Sequence, residues 1–291
     1  MTGTTAPPII ERAGELLQRY DVLFCDVWGV VHNGHAALPE ASDALLRFRK
    51  KGGTVILVSN APVPNHQVAS MLDQLRLPRE TWDAIVSSGD IALRHVDSQG
   101  YGKLYPIGPQ DRDAALFAKV AFLSGALKGS EAILCSGLND DRTETAEDYR
   151  DVLSRARDLR LPFVCANPDF VVDVGGRLYL CAGALGDVYE ELGGDVFWAG
   201  KPHAVAYETA LLQAQELRQE VVPRERLLVI GDSVRTDMKG ARTFGVDALF
   251  IAGGIHREET LARGRIVPER LADLFADGAP GATAAMAHLG W

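Results

Sequence analysis

Short, unbroken apolar runs alternate with amphipathic stretches along most of the chain. Val22-Leu23-Phe24-Cys25, Thr54-Val55-Ile56-Leu57-Val58, Ala84-Ile85-Val86, Leu227-Leu228-Val229-Ile230 and residues 246–251 read as strands buried on both faces. Between them, apolar residues recur at helical spacing. Residues 9–20 carry Ile9, Ile10, Ala13, Leu16 and Leu17; residues 41–51 carry Leu45, Leu46 and Phe48 and end at Gly52-Gly53. Further helices are expected around residues 67–74, after Ser87-Ser88-Gly89-Asp90 and through His95, and over 204–218, where Val205, Leu211, Leu212 and Ala214 repeat. Alternating strands and helices predict an α/β fold with a doubly wound parallel sheet, a Rossmann-like core of three layers.

The rhythm changes near Lys103. Leu104-Tyr105-Pro106-Ile107, Ala132-Ile133-Leu134-Cys135, Phe163-Val164-Cys165-Ala166 and Leu178-Tyr179-Leu180-Cys181 are shorter strand candidates, with a charged helical stretch over 147–159. Long strand–helix units return after Lys201. The expected organisation is therefore a core of residues 1–102 and 198–291 interrupted by a smaller α/β unit at 103–197. Within the insertion, Asn139-Asp140-Asp141-Arg142-Thr143-Glu144 reads as a solvated loop, with a metal held by paired carboxylates as the alternative. The tail from Pro280 is rich in Gly and Ala, and its apolar Leu289-Gly290-Trp291 is expected to pack on a neighbouring face.

A formal net charge of −9 argues against nucleic acid or an anionic membrane as the main partner. The opening MTGTTAPPII lacks the cationic flank and apolar stretch of a signal peptide, and no run of about 18 apolar residues occurs. Cys25, Cys135, Cys165 and Cys181 lie in or beside apolar runs without a CxxC pair, as expected of buried thiols in a reducing cytoplasm.

Polar residues at strand ends carry the candidate chemistry. Asp26 stands where the first strand ends, with Gly29 to turn the chain; Ser59 and Asn60 close the second. A hydroxyl and an amide there can donate to an oxyanion. Lys201 lies in Gly200-Lys201-Pro202 at a helix start, and Asp232 and Asp237 follow the strand at 227–230. Such ends converge on one edge of a doubly wound sheet, where open α/β folds keep their sites. Crowded carboxylates ionise together only around a cation, and hard oxygen ligands favour Mg²⁺. One carboxylate could then attack phosphorus to give an aspartyl-phosphate, with Lys201 and Ser59 neutralising the phosphoryl oxygens. His32 and His35 read as solvated turn residues, a ligand or proton-carrying role being the alternative.

In order and spacing, Asp26, Ser59, Lys201 and the Gly231-Asp232-Ser233-Val234-Arg235-Thr236-Asp237 segment resemble the four motifs of the haloacid-dehalogenase-like hydrolases. The branch most similar is that of the NagD-type sugar and nucleotide phosphatases, whose α/β cap falls between the second and third motifs. The resemblance implies Mg²⁺ held by Asp26, Asp232 and the Trp28 carbonyl with Asp237 close by, and Asp26, Ser59 and Lys201 as catalytic residues. It further implies a substrate met by Asn60, Trp28, Asn167 and Asp169, the last two from a cap-like Asn167-Pro168-Asp169 segment. A small phosphorylated metabolite is the partner implied, and a homodimer through the cap is compatible with it. One position departs: Trp28 stands where phosphatases of the superfamily carry an acid–base aspartate. An indole transfers no proton at neutral pH, and losing a general acid–base costs about 10²–10⁴-fold in rate. Three readings follow: a Mg²⁺-dependent phosphatase, a hydrolase acting on another bond through Asp26, and a weakly catalytic protein that binds a phosphorylated ligand.

Overall fold

The computed structural model describes residues 6–276 and 278–291. The first five residues, half of the opening MTGTTAPPII, lie outside the described residues. Among the described residues two compact units emerge, one within 6–59, 69–86 and 207–291, the other of residues 60–68 and 87–206.

The first unit is built on a six-stranded sheet in the order Ala284–Met286, Asp247–Ile251, Leu227–Gly231, Val22–Cys25, Thr54–Ser59, Ala84–Ser87. Val22–Cys25 lies in the middle, parallel to both neighbours, with Val22 opposite Leu227 on one side and Thr54 on the other. All its residues are buried, as are those of Thr54–Ser59 and Leu227–Gly231. That burial on both faces explains the continuous apolar runs. Pro39 opens the helix Pro39–Lys50, which turns Ala41, Ala44, Leu45 and Phe48 inward.

One expectation for this unit needs correction, and one strand was not foreseen. The helix expected over 9–20 shrinks to Gly14–Leu17, because Ile9 pairs with Ala285 beside the last strand instead of joining a helical face. The Gly/Ala-rich tail forms that last strand, Ala284–Met286, parallel to Asp247–Ile251. Beyond it Leu289 is buried, and the Trp291 indole packs against Gly14.

The second unit holds a five-stranded parallel sheet in the order Val196–Trp198, Phe163–Cys165, Ala132–Cys135, Lys103–Ile107, Phe122–Leu123. Its core gathers Ile107, Ile133, Leu138, Leu153, Phe163, Leu185 and Tyr189. The run at 178–181 does not enter this sheet. It contributes Arg177–Leu180 to an antiparallel hairpin with Val171–Val174. The charged stretch at 147–159 divides into a 3-10 turn, Ala146–Tyr149, and the helix Arg150–Asp158. The acidic loop before it is ordered by its own bonds: Arg142 N–H and the Thr143 hydroxyl donate to Asp140, and the Tyr149 hydroxyl donates to Glu144. All four cysteines are buried thiols. Among the described residues no helix is long and apolar enough to cross a membrane.

Candidate active site

Asp26 continues the central strand by one ladder bond, its N–H donating to the Ile230 carbonyl at 2.8 Å. Register places Cys25 opposite Ile230 and Leu57, so Asp26, Asp232 and Ser59 emerge at the carboxyl ends of three adjacent strands. Asp26, Asp232 and Asp237 each offer a carboxylate oxygen, and these lie within 4.8 Å of one another.

A tight turn brings Asp237 back to the strand end that carries Asp232. Ser233 caps the π-turn Val234–Met238, its hydroxyl accepting from Thr236 N–H at 3.2 Å and its carbonyl from Asp237 N–H at 3.0 Å. The Asp237 carboxylate accepts from Ser233 N–H at 3.1 Å, and that of Asp232 from Ile255 N–H at 2.7 Å. The segment Gly253-Gly254-Ile255-His256 thus belongs to the site, a role that sequence patterning did not reveal. His256 Nε2 also accepts from Val234 N–H, at 3.5 Å. The available signal was the paired glycine directly after a buried strand.

Close backbone approach shapes this corner. A Cβ on Gly29 would lie 2.1 Å from Asp232 Oδ2, one on Gly254 1.8 Å from the same oxygen, and one on Gly231 2.0 Å from Asp237 Cγ. Gly29 also has φ +80°, which other residues adopt only with strain. The peptide joining Trp28 to Gly29 therefore borders Asp232. Three crowded carboxylates repel one another unless a cation stands among them, and a donor set of oxygen alone suits a hard divalent ion. The residues present fit Mg²⁺.

Trp28 is half-buried, and its indole is fixed from two directions. The His32 imidazole meets it edge-on, with ring centroids 4.8 Å apart and planes at 73°. A Cβ on Gly34 would fall 2.7 Å from the indole Cζ2, so only glycine fits beneath the benzo ring. His32 is not the solvated turn residue expected: it is wholly buried, and burial pulls its pKa down to about 4. Nδ1 accepts from Gly34 N–H at 2.9 Å, so the neutral ring carries its proton on Nε2, which has no hydrogen-bond partner. That tautomer suits packing and not proton transfer. His35 is exposed, as expected.

The remaining expected residues lie in the second unit. Asn60 donates to Asp169 Oδ1 at 2.9 Å and to the Lys201 carbonyl at 3.0 Å, and accepts from Lys201 N–H at 2.8 Å and the Ser88 hydroxyl at 3.2 Å. Its two donors and two acceptor positions are thereby used, so the amide holds the Lys201 peptide and leaves nothing for an oxyanion. Lys201 is buried. Asn167 accepts from Asp169 N–H at 3.2 Å, and the Asp169 carbonyl accepts from Gly183 N–H at the start of the helix Ala182–Glu191. The structure thus joins Asp26, Asp232 and Asp237 in one unit, and Asn60, Asn167, Asp169 and Lys201 in the other.

Comparison with known proteins points the same way. Residues 23–122 match the haloacid dehalogenase-like hydrolase model, and residues 198–278 match a second model described as HAD-hydrolase-like. A haloacid dehalogenase-like hydrolase from Brucella suis 1330 is 40% identical, with 97% of this chain and 100% of that one covered and a TM-score of 0.83. The glycerol phosphate phosphatase of Mycobacterium tuberculosis, solved in complex with magnesium, shares the fold at 21% identity, 90% and 80% coverage and TM-score 0.63. NagD from Escherichia coli K-12 does so at 19% identity, 92% and 96% coverage and TM-score 0.62. Among curated proteins nothing matches the chain.

Proposed function

Since this chain belongs to the haloacid dehalogenase-like hydrolase family, we propose that it is a Mg²⁺-dependent phosphatase of a small phosphorylated metabolite, with Asp26 as nucleophile. The observation that carries this reading is the gathering of Asp26, Asp232 and Asp237 within 4.8 Å at convergent strand ends. A pure binding protein has no need of three repelling carboxylates there. Fold neighbours described as phosphatases, one of them in complex with magnesium, lend support.

In this reading Asp232, Asp237, Asp26 and the Trp28 carbonyl hold the cation. When bound, it supplies the positive charge that lets the carboxylates stand together and offsets that of the phosphoryl group. The Asp26 carboxylate attacks phosphorus, the ester oxygen departs with a proton from water, and water then hydrolyses the aspartyl-phosphate. Ser59 donates to a phosphoryl oxygen. Lys201 receives its charge-neutralising role from motif order, and Asn60 acts through it by fixing its peptide. Asn167 and Asp169 belong to the cap, here the unit bearing the five-stranded sheet, and contribute to substrate choice. Trp28 leaves the site without the usual acid–base carboxylate, so leaving groups of low pKa are favoured.

The test is phosphate release from a panel of sugar phosphates, nucleotides, glycerol phosphate and p-nitrophenyl phosphate, with Mg²⁺ or with EDTA. Release should require Mg²⁺ and fall at least about 10³-fold in Asp26→Asn, as expected for a lost nucleophile. Release that survives Asp26→Asn, or none from any ester, would sink the reading.

A further inference from the structure

The loop after the central strand holds one side chain with unusual care. His32 is buried with Nε2 unpartnered, and Gly34 takes φ +85° directly beneath the Trp28 benzo ring. A buried N–H without an acceptor is costly, so the ring is kept there for its packing. A backbone bridge between Trp28 and His32 and the Gly29 N–H donating to the His32 carbonyl at 2.8 Å fix the same turn. These features all hold the indole in one orientation. Its own backbone borders the carboxylate corner, since Gly29 lies against Asp232.

A half-buried indole two residues after the nucleophile moves no proton. It does offer a flat, polarisable surface that prefers another ring to an aliphatic chain. We propose that Trp28, clamped by His32 and Gly34, is a specificity-determining residue that selects phosphate esters of aromatic or heteroaromatic alcohols over aliphatic ones. The inference rests on the phosphatase reading and names its substrate class. His32 and Gly34 are positioning residues, acting only through the indole.

Leaving-group acidity alone would also favour aryl esters in turnover, so the deciding measurement must contain no leaving group. Calorimetry of the full chain with Mg²⁺ should compare phenylphosphonate with methylphosphonate. Wild type should bind the phenyl compound more tightly, and Trp28→Leu should reduce that ratio about two- to tenfold, the worth of an aromatic contact beyond its area. Trp28→Phe should retain most of the preference. His32→Asn keeps an acceptor for Gly34 N–H but removes the ring, and should lower the ratio, while His32→Phe should restore part of it. The Mg²⁺-induced rise in melting temperature identifies variants that remain folded. A ring preference unchanged in Trp28→Leu, or no phosphonate bound by wild type, overturns the proposal. Trp28-dependent phenylphosphonate binding without phosphate release from any ester would uphold it while the phosphatase reading fails. Phosphate release with a Trp28-independent ratio would overturn it while the phosphatase reading stands.

Discussion

At the carboxyl end of the six-stranded sheet three carboxylates meet, and backbone N–H groups of Ser233 and Ile255 hold two of them. The corresponding end of the five-stranded sheet is filled differently. Cys135 and Cys165 lie opposite each other in adjacent parallel strands, and Cys181 bridges to Gly137. Burial pushes all three thiols up, away from the thiolate. A buried carboxyl, Asp113, sits near Ser136, and neither Asp113 Oδ2 nor Ser136 Oγ makes a well-aligned hydrogen bond. Both units are parallel α/β sheets with their polar residues at strand ends. Architecture therefore does not decide which edge does chemistry. What differs is how the charge is supported: donors and room for a cation at one edge, desolvation at the other.

The comparison breaks most plainly at Asp232. Asp232→Ala should abolish the Mg²⁺-induced stabilisation of the chain, which for wild type at about a hundredfold excess over Kd amounts to about 2.7 kcal/mol. Titration calorimetry and thermal melts with and without Mg²⁺ test it. Undiminished Mg²⁺ affinity in the variant would remove the first edge's claim to be a metal centre.

A smaller effect sharpens the role of close approach. Gly29→Ala meets both a positive φ and an oxygen 2.1 Å from the new Cβ, whereas Gly52→Ala meets φ +88° with nothing within 4 Å. The Gly52 variant should lose about 1–2 kcal/mol from backbone strain alone. Gly29→Ala should lose more by denaturant unfolding and should also bind Mg²⁺ more weakly. Equal losses, with Mg²⁺ affinity unchanged in both, would mean that contact with Asp232 is unimportant.

Much of the fold was legible because a strand buried on both faces must be apolar throughout, which marks Val22–Cys25, Thr54–Ser59 and Leu227–Gly231 from pattern alone. Ala284–Met286 escaped, since an Ala-Ala-Met run among glycines has little strand preference and pairs only because Asp247–Ile251 offers an edge. Ile9 misled differently: it pairs through its backbone with Ala285 while its side chain stays exposed, so it belongs to no buried helix face. At the site, acidic residues at strand ends announced themselves. Residues acting through backbone did not, because Ile255 N–H and the space above Gly254 carry no side-chain signature. Asn60 was legible as polar, but its saturation by Ser88, Asp169 and Lys201 depends on residues far away in sequence.

The smallest predicted effect tests the second edge. Burial raises the Asp113 pKa above its ordinary value of 3.8, and the Arg112 guanidinium, 3.5 Å from Oδ1 and also paired with Asp141, only partly opposes this. In the window between the unfolded and folded pKa values the folded chain binds more protons than the unfolded one. Stability from this group is therefore fully present below the unfolded value and declines as pH rises through the folded one. Asp113→Asn removes the titration while keeping the shape, and Arg112 retains Asp141. Its denaturant midpoint, compared with wild type from pH 4 upward, should gain on wild type as pH rises and level off once the wild-type carboxyl is ionised. Phosphate release, if the chain is the phosphatase proposed, should respond far less than to Asp232→Ala. A wild-type advantage that grows with pH would show that the Asp113 carboxylate is favourably solvated when folded, and the contrast between the two edges would then disappear.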